Sequence, residues 1–87
     1  MYVIIVYDIE ERRVGKVCQY LRRHLNWVQN SVFEGELTPA HLEEIKSGLK
    51  RLIKKEKDAV LFYLLREKST MKREVMGLDK NTTETFI

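Results

Sequence analysis

MYVIIVYDIEERRVGK, residues 1–16 of the chain, contains an unbroken apolar run that ends in a carboxylate and a group of cations. Met1–Tyr7 is apolar throughout and rich in β-branched residues, which is typical of a strand buried on both faces. Asp8 follows the run directly, and three basic residues come soon after it: Arg12, Arg13 and Lys16. This order predicts an acid at the mouth of a buried strand, beside the basic start of a helix.

The rest of the chain alternates helical and β patterns. Apolar residues at helical spacing predict a first helix with one apolar face: Val14, Val17, Cys18, Leu21 and Leu25. Trp27–Leu37 is typical of β structure, in which Gly35 permits a bend or bulge. Thr38 and Pro39 predict the start of a second helix, because a capping residue is followed by proline at the first helical position. Ala59–Leu65 is another fully apolar run and predicts a further strand.

These elements predict an α+β fold class. If Trp27–Leu37 holds two short strands rather than one long bulged strand, residues 1–66 form a ferredoxin-like β-α-β-β-α-β domain. The last strand then lies at a sheet edge, and Ala59–Leu65 is too apolar for a bare edge. We expect the tail, residues 67–87, to cover it as an extra C-terminal strand, from this chain or from a partner. Val75–Leu78 is the weak strand candidate in that tail.

Length and composition limit the number of domains and the kinds of partner that we expect. A chain of 87 residues fits one domain with a thin core, and its single cysteine allows no internal disulfide. A partner surface is therefore an expected source of stability. The formal net charge of +3 favours a polyanionic partner without requiring one. No run approaches the roughly 20 apolar residues of a membrane span, and no basic leader precedes the first strand, so we expect a cytoplasmic protein without a membrane partner.

Asp8 has two competing interpretations. It stands three residues before Glu11, which is the spacing of a helix capping box. Alternatively it is a metal ligand, because Mg²⁺ is commonly held by one or two carboxylates, with water and substrate phosphate completing its shell. If two chains pair so that both Asp8 side chains meet, a divalent cation would relieve their repulsion and activate a water to attack a phosphodiester.

Other reactive residue types give weaker signals. His24 and His41 lie on different predicted helices without further ligands at zinc spacing, so a zinc site is not expected. Cys18 fits a small core residue, and Ser31 fits a hydrogen-bonding strand residue unless it lines the Asp8 site. The basic face of the first helix is the candidate nucleic-acid surface: Arg12, Arg13, Lys16, Arg22 and Arg23. No aromatic residues interleave with these cations, so base-specific recognition is not indicated.

Two motifs together resemble a known family. Tyr7-Asp8-Ile9 ends the first strand, and Gln29-Asn30-Ser31-Val32-Phe33-Glu34 lies in the middle of the chain. With the apolar Ala59–Leu65 strand, they are similar to CRISPR-associated protein 2, the small adaptation protein of CRISPR systems. The resemblance covers nearly the whole chain.

The resemblance implies a ferredoxin-like fold and a symmetric homodimer, in which the C-terminal segment adds a strand to the partner's sheet. It implies that Asp8 of each subunit is the catalytic metal ligand, with Mg²⁺ or Mn²⁺ between them, and that Tyr7, Ser31 and Phe33 line this site. It further implies a metal-dependent endonuclease acting on RNA or double-stranded DNA, and a partnership with the CRISPR integrase during spacer acquisition. Arg12 and Arg13 match the family by location only, and the basic residue that some members carry before Gln29 is absent here.

Two other functions remain open at this point. A non-catalytic dimeric scaffold that bridges the CRISPR integrase and spacer DNA would need the basic surface but not the Asp8 chemistry. A small-molecule-binding regulatory module on the same fold is the third interpretation, because fold does not fix function.

Overall fold

The structure is a computed structural model that describes residues 1–80. The elements follow in the order β1 (Tyr2–Asp8), α1 (Glu11–Arg22), β2 (Asn26–Gln29), β3 (Val32–Glu36), α2 (Pro39–Leu52) and β4 (Ala59–Leu65), with a short 3₁₀ turn at Lys68–Thr70. The strands form one antiparallel sheet in the order β2-β3-β1-β4. The predicted β-α-β-β-α-β arrangement is therefore confirmed, with two strands rather than one between the helices.

One face of the sheet carries the hydrophobic core. Val3 and Ile5 of β1 are fully buried, as are Leu21 of α1, Phe33 of β3 and Ile45 of α2. Alternate side chains of a strand point to opposite faces, so this face collects the odd-numbered residues of β1 under the two helices. Both helices are anchored through it, and their polar sides face solvent.

Within residues 1–80, no α-helix packs on the opposite face of the sheet. We call it the open face; on β1 it carries Tyr2, Ile4, Val6 and Asp8, which alternate with the core residues. On β4 the register places Leu61 opposite Val6 and Tyr63 opposite Ile4, and both β4 side chains are about half exposed. The open face is thus apolar at its centre, with the Asp8 carboxylate at one end.

The tail crosses part of the open face. Lys68 places its Nζ 5.5 Å from the centroid of the Tyr2 ring, and Arg73 forms an ion pair with the buried carboxylate of Glu34. The pKa of Tyr2 is raised, first by burial and then by the neighbouring Glu34 carboxylate. Residues 67–80 of the tail therefore contact the sheet beside β3 and do not cover the β4 side of the open face.

One expectation for the tail is corrected by this placement, whereas the covering of β4 by the tail of a partner chain stays a prediction. The weak strand expected at Val75–Leu78 does not form within residues 1–80, where Met76 and Leu78 are strongly exposed. In the same part of the chain the outer edge of β4 has no strand beside it. A strand is held in place by ladder hydrogen bonds to its neighbour, and residues 67–80 form no such bonds with this sheet. Residues 81–87, the rest of the predicted tail, lie outside the described residues.

The β2–β3 hairpin turns at Asn30 rather than at Gly35. Asn30 has a φ of 40°, a left-handed conformation that asparagine tolerates better than most residues. Gly35 lies within β3 opposite Val3, and a Cβ there would come within 2.8 Å of Leu25 Cδ2. The bend expected at Gly35 is therefore wrong: this glycine permits close packing of Leu25 on the strand.

Helix α2 begins as the sequence predicts. Thr38 Oγ1 accepts a hydrogen bond of 3.1 Å from the His41 amide, and Pro39 occupies the first turn. Across residues 1–80, no helix has the length and apolar character needed to cross a membrane.

Candidate functional site

Asp8 is the last residue of β1 and faces solvent at the end of the open face. Its register partner is Ala59, the first residue of β4. Its carboxylate makes no hydrogen bond or ion pair to any residue between 1 and 80. Helix α1 begins at Glu11 after Glu10, and no side-chain bond caps it. The interpretation of Asp8 as a helix cap paired with Glu11 is therefore wrong, and its carboxylate is available for a ligand.

A second carboxylate, Asp58, lies beside this strand end and is fully buried. Its Oδ1 accepts from the Glu10 amide at 3.0 Å and from Arg13 Nη2 at 2.9 Å. Its Oδ2 accepts from Arg13 Nε at 2.7 Å and from the Lys54 amide at 2.9 Å. Arg13 also donates to Glu10 Oε1 at 2.9 Å. We call Asp58, Arg13 and Glu10 the clamp, because they join the β1–α1 loop, the first turn of α1 and the α2–β4 loop.

The charges within the clamp stabilise each other. The hydrogen bonds from the Arg13 guanidinium hold the pKa of Asp58 well below its usual range, against the opposing effect of burial, and the amides of Glu10 and Lys54 lower it further. The bond to Asp58 likewise raises the pKa of Arg13. Both groups are therefore ionised throughout the physiological pH range, and the buried carboxylate is fully hydrogen-bonded.

The predicted basic residues separate into two sets. Arg12 leaves 78% of its side chain exposed, whereas Arg13 leaves 13% exposed because the clamp binds it. The remaining predicted cations of α1 are exposed: Lys16, Arg22 and Arg23. A phosphate contact by Arg13 stays a prediction, but its guanidinium already has two carboxylate partners, so the exposed cations are better placed to bind nucleic acid.

Tyr7 and Phe33 do not line the Asp8 carboxylate. Both side chains are buried in the core on the helix-covered face, with ring centroids 6.2 Å apart. Burial raises the pKa of Tyr7 well above its usual range, and its hydrogen bond with Cys18 Sγ at 2.8 Å acts in the same direction. Tyr7 is therefore a neutral core residue. The site-lining role implied for these two residues is corrected to a structural one, because neighbouring residues of a strand face opposite sides.

Ser31 lies close to the end of β1 through its backbone. Its carbonyl oxygen accepts a hydrogen bond of 3.1 Å from the Tyr7 amide, and the residue is half-buried. This contact extends the β1–β3 ladder up to the residue before Asp8. Ser31 thus lies at the same end of the sheet as Asp8, and its role as a site-lining residue stays a prediction.

A single chain does not complete a metal centre from its described residues. Among residues 1–80 no group of three or more side chains of the metal-ligating types His, Cys, Asp and Glu comes together. Asp8 offers one exposed, unpaired carboxylate of the hard oxygen type that Mg²⁺ and Mn²⁺ prefer. The residues present fit such an ion only if a second chain contributes its own Asp8.

Sequence reasoning missed two side-chain pairs that long-range contacts create. Asp58 forms its ion pair with Arg13, which lies 45 positions earlier in the chain, so no local spacing indicates the contact. His24, in the turn after α1, lies with its Nδ1 2.9 Å from Nε2 of His41 on α2. No local spacing signals that contact.

Comparison with known proteins gives one consistent result. A family model described as CRISPR associated protein Cas2 matches residues 1–73. The chain is 54% identical over 87 residues to a protein of Thermococcus kodakarensis named CRISPR-associated endoribonuclease Cas2, covering 100% of both chains. A protein of the same name from Methanocaldococcus jannaschii is 52% identical, and the match covers 100% of this chain and 76% of the relative.

Solved structures show the same similarity in three dimensions. A crystal structure described as cas2 aligns with a TM-score of 0.88 and 47% identity, covering 100% of this chain and 98% of the other. Cas2 of Streptococcus pyogenes at pH 6.5 aligns with a TM-score of 0.78 and 32% identity, covering 88% of this chain and 100% of the other.

Proposed function

The chain belongs to the CRISPR-associated Cas2 family, and on this premise we propose that it is a metal-dependent endoribonuclease that acts as a homodimer. The relatives' name supports the reaction class and favours RNA over double-stranded DNA as the substrate. The observation that carries the proposal is the Asp8 carboxylate, which is exposed at a strand end and has no partner within residues 1–80. The neighbouring acid Asp58, in contrast, uses both of its carboxylate oxygens in bonds that hold the fold together.

In the proposed site, Asp8 from each of two chains would hold one Mg²⁺ or Mn²⁺. When bound, the ion supplies a water of lowered pKa that can attack the phosphorus of a phosphodiester. The Asp8 carboxylates orient that water and balance the charge of the ion. Arg12 and Lys16, both exposed on the first turns of α1, would neutralise the phosphate as one P–O bond forms and the bond to the leaving oxygen breaks.

Pairing through the open face would supply the second carboxylate. This face is apolar at its centre, with Leu61 53% and Tyr63 54% exposed, and it ends at Asp8. A sheet with a bare apolar face gains stability by burying it against another layer. A symmetric contact across the open face places the same residues of both chains around one two-fold axis.

The direct test is cleavage of single-stranded RNA by the purified chain with Mg²⁺, before and after the substitution Asp8→Asn. We expect the substitution to lower the rate by at least about 100-fold, because it removes the ligand's charge from both subunits. Glu11→Gln is the matched control, since Glu11 is also an exposed acid and lies in the first turn of α1. Equal cleavage by wild type and Asp8→Asn, after contaminating nuclease is removed, would contradict the assignment.

A scaffold function is the second candidate, favoured by the four exposed cations on α1: Arg12, Lys16, Arg22 and Arg23. In this function the dimer holds spacer DNA and bridges copies of the CRISPR integrase, and it needs no metal at Asp8. Duplex binding would weaken steeply with salt and would survive both chelation and Asp8→Asn. The double substitution Arg22→Gln and Arg23→Gln would lower the salt dependence by about two phosphate contacts.

A further inference from the structure

We propose that Asp58 and Arg13 are positioning residues for Asp8, which hold the strand end and the loop after it in the geometry that a shared metal site requires. This inference rests on the proposed function and deepens it, because it assigns a supporting role at the Asp8 site to two residues that pair with each other. Three features support the inference: the position of the clamp, its hydrogen bonds and its contact with the first turn of α1.

The clamp lies at the same end of the sheet as Asp8. Asp58 directly precedes Ala59, and Ala59 is the register partner of Asp8 on the neighbouring strand. The amide bound by Asp58 Oδ1 belongs to Glu10, only two residues after Asp8. The clamp therefore fixes the chain on both sides of the catalytic carboxylate: β4 across the ladder and the β1–α1 loop along the backbone.

The hydrogen bonds of Asp58 restrict the movement of the clamp. Each oxygen of Asp58 accepts two hydrogen bonds, and the four donors come from Glu10, Arg13 and Lys54. The Asp58 side chain has no exposed surface, so water does not compete for these bonds. A planar guanidinium that binds one carboxylate through both Nε and Nη2 fixes distance and orientation together. A loosely held acid on a loop would not meet its symmetry mate at the separation a bound ion demands.

The clamp also orients the first turn of α1. Arg13 lies on that turn, and its neighbour Arg12 projects into solvent with 78% of its side chain exposed. The first helical residue, Glu11, has no capping side chain before it. The Arg13–Asp58 contact and the bond from the Glu10 amide therefore anchor the first turn of α1, which carries Arg12, from outside the helix.

Two substitutions separate positioning from simple stability. Arg13→Lys keeps the positive charge but loses the bidentate bond to Asp58. Asp58→Asn keeps the shape, but whichever way the amide lies, its NH₂ group meets two donors: Arg13 Nε and Lys54 N in one orientation, Arg13 Nη2 and Glu10 N in the other. Arg13→Lys is the milder change and keeps the test usable if Asp58→Asn fails to fold.

The matched control is Tyr20→Phe. The Tyr20 hydroxyl donates to the carbonyl oxygens of Glu44 and Ile45 at 3.2 and 3.3 Å, which joins α1 to α2 away from the clamp. The substitution removes part of the interhelix contact without touching the Asp8 end of the sheet. It therefore reports what a general loss of stability does to the same measurements.

The measurements are the Mn²⁺ dissociation constant, from the free-ion electron paramagnetic resonance signal, and the Mg²⁺ concentration that gives half-maximal RNA cleavage. Both are taken on the full chain, well below its unfolding temperature. We expect Arg13→Lys to raise both values by about 10-fold, at the low end of the range for groups that orient metal ligands. Tyr20→Phe leaves both values unchanged, because nearly every molecule stays folded well below the unfolding temperature, so a small loss of stability does not alter the apparent affinity for the ion.

The outcomes distinguish this inference from the function on which it rests. If Asp8→Asn abolishes Mn²⁺ binding while Arg13→Lys binds Mn²⁺ as tightly as wild type, the positioning role is overturned and the metal site stands. If wild type shows no Mn²⁺ binding that Asp8→Asn removes, the metal-dependent function itself fails, and the inference fails with it. A weakening by Arg13→Lys that Tyr20→Phe does not share supports both.

Discussion

Asp58 makes the stability of the fold depend on pH through one buried ion pair. The Arg13 guanidinium holds the pKa of Asp58 below its usual value of 3.8 in the folded chain. A carboxyl whose pKa is lower when folded contributes its stability above the unfolded pKa and loses it as the pH falls towards the folded value. The contribution of this ion pair is thus complete at neutral pH and declines only in strong acid.

This linkage predicts how Asp58→Asn responds to acid. The variant is expected to be less stable than wild type at about pH 7, by an amount that stays constant down to about pH 5 and shrinks below about pH 4. Urea unfolding at several pH values measures the difference. Asp8→Asn serves as the control, because the Asp8 carboxylate forms no hydrogen bond or ion pair within residues 1–80, so the substitution removes no such bond from the described fold. A deficit in Asp58→Asn that is unchanged at about pH 2.5 would contradict the linkage.

The same residue shows why part of the site escapes sequence reasoning. Asp58 and the Glu10 amide lie 48 positions apart in the chain, so no spacing rule joins them. Asp8, in contrast, is predicted as a candidate site residue from local sequence alone, because it follows an apolar run and lies in a recognisable motif. Local pattern therefore identified the exposed acid, whereas the buried ion pair of Asp58 emerged only from the folded contact.

At the scale of elements, the two helices pack through the close approach of Tyr20 to Gly48. A Cβ added at Gly48 would overlap the phenol ring of Tyr20, whose hydroxyl donates to two α2 carbonyl oxygens. A Cβ added at Gly15, on the exposed side of α1, would have no neighbour within 4 Å. The two glycines share the same helical context but differ in their surroundings.

Opposite effects on stability follow for the two alanine substitutions. Gly48→Ala is expected to lower the free energy of unfolding by about 1–3 kcal/mol, because the overlap outweighs the gain in helix propensity. Gly15→Ala is expected to raise it by up to about 1 kcal/mol, because alanine is the better helix former and meets nothing there. Chemical denaturation measures the free energy of unfolding of both variants. Stabilisation by Gly48→Ala as well would contradict the close contact between Tyr20 and Gly48.

The elements themselves were largely predictable because their signals are local. Thr38 and Pro39 act within one turn, so the start of α2 was predicted correctly. The start of α1 was not, because Arg13 and Asp58 hold it from outside the helix instead of a capping side chain. The Gly35 expectation failed for a similar reason, since the contact that requires a glycine comes from Leu25.

For the whole molecule, the bare open face is the feature that predicts association. Leu61 and Leu64 of β4 are each 53% exposed, but their register partners differ. Leu61 lies opposite Val6 on the open face, and Leu64 lies opposite the core residue Val3. The two leucines are equally exposed but lie on opposite faces of the sheet. Substituting each in turn therefore shows which face contacts a second copy of the chain.

We expect Leu61→Lys to convert the dimer into monomers, because it places a charge in the centre of the apolar contact. Leu64→Lys should leave the dimer intact, since its side chain faces away from that contact. Light scattering coupled to size-exclusion chromatography measures the masses. Dissociation by both substitutions would place the interface at the outer edge of β4, and dissociation by Leu64→Lys alone would reverse the assignment.

Because no group of three or more metal-ligating side chains comes together among residues 1–80, each polypeptide carries only half of the proposed hydrolytic machinery. Below the dimer dissociation constant, the rate of hydrolysis should then climb with the square of the amount of protein rather than in proportion to it. At a low expression level such an enzyme would stay monomeric and inactive without any inhibitor. A modest rise in its concentration would form the dimer and activate it.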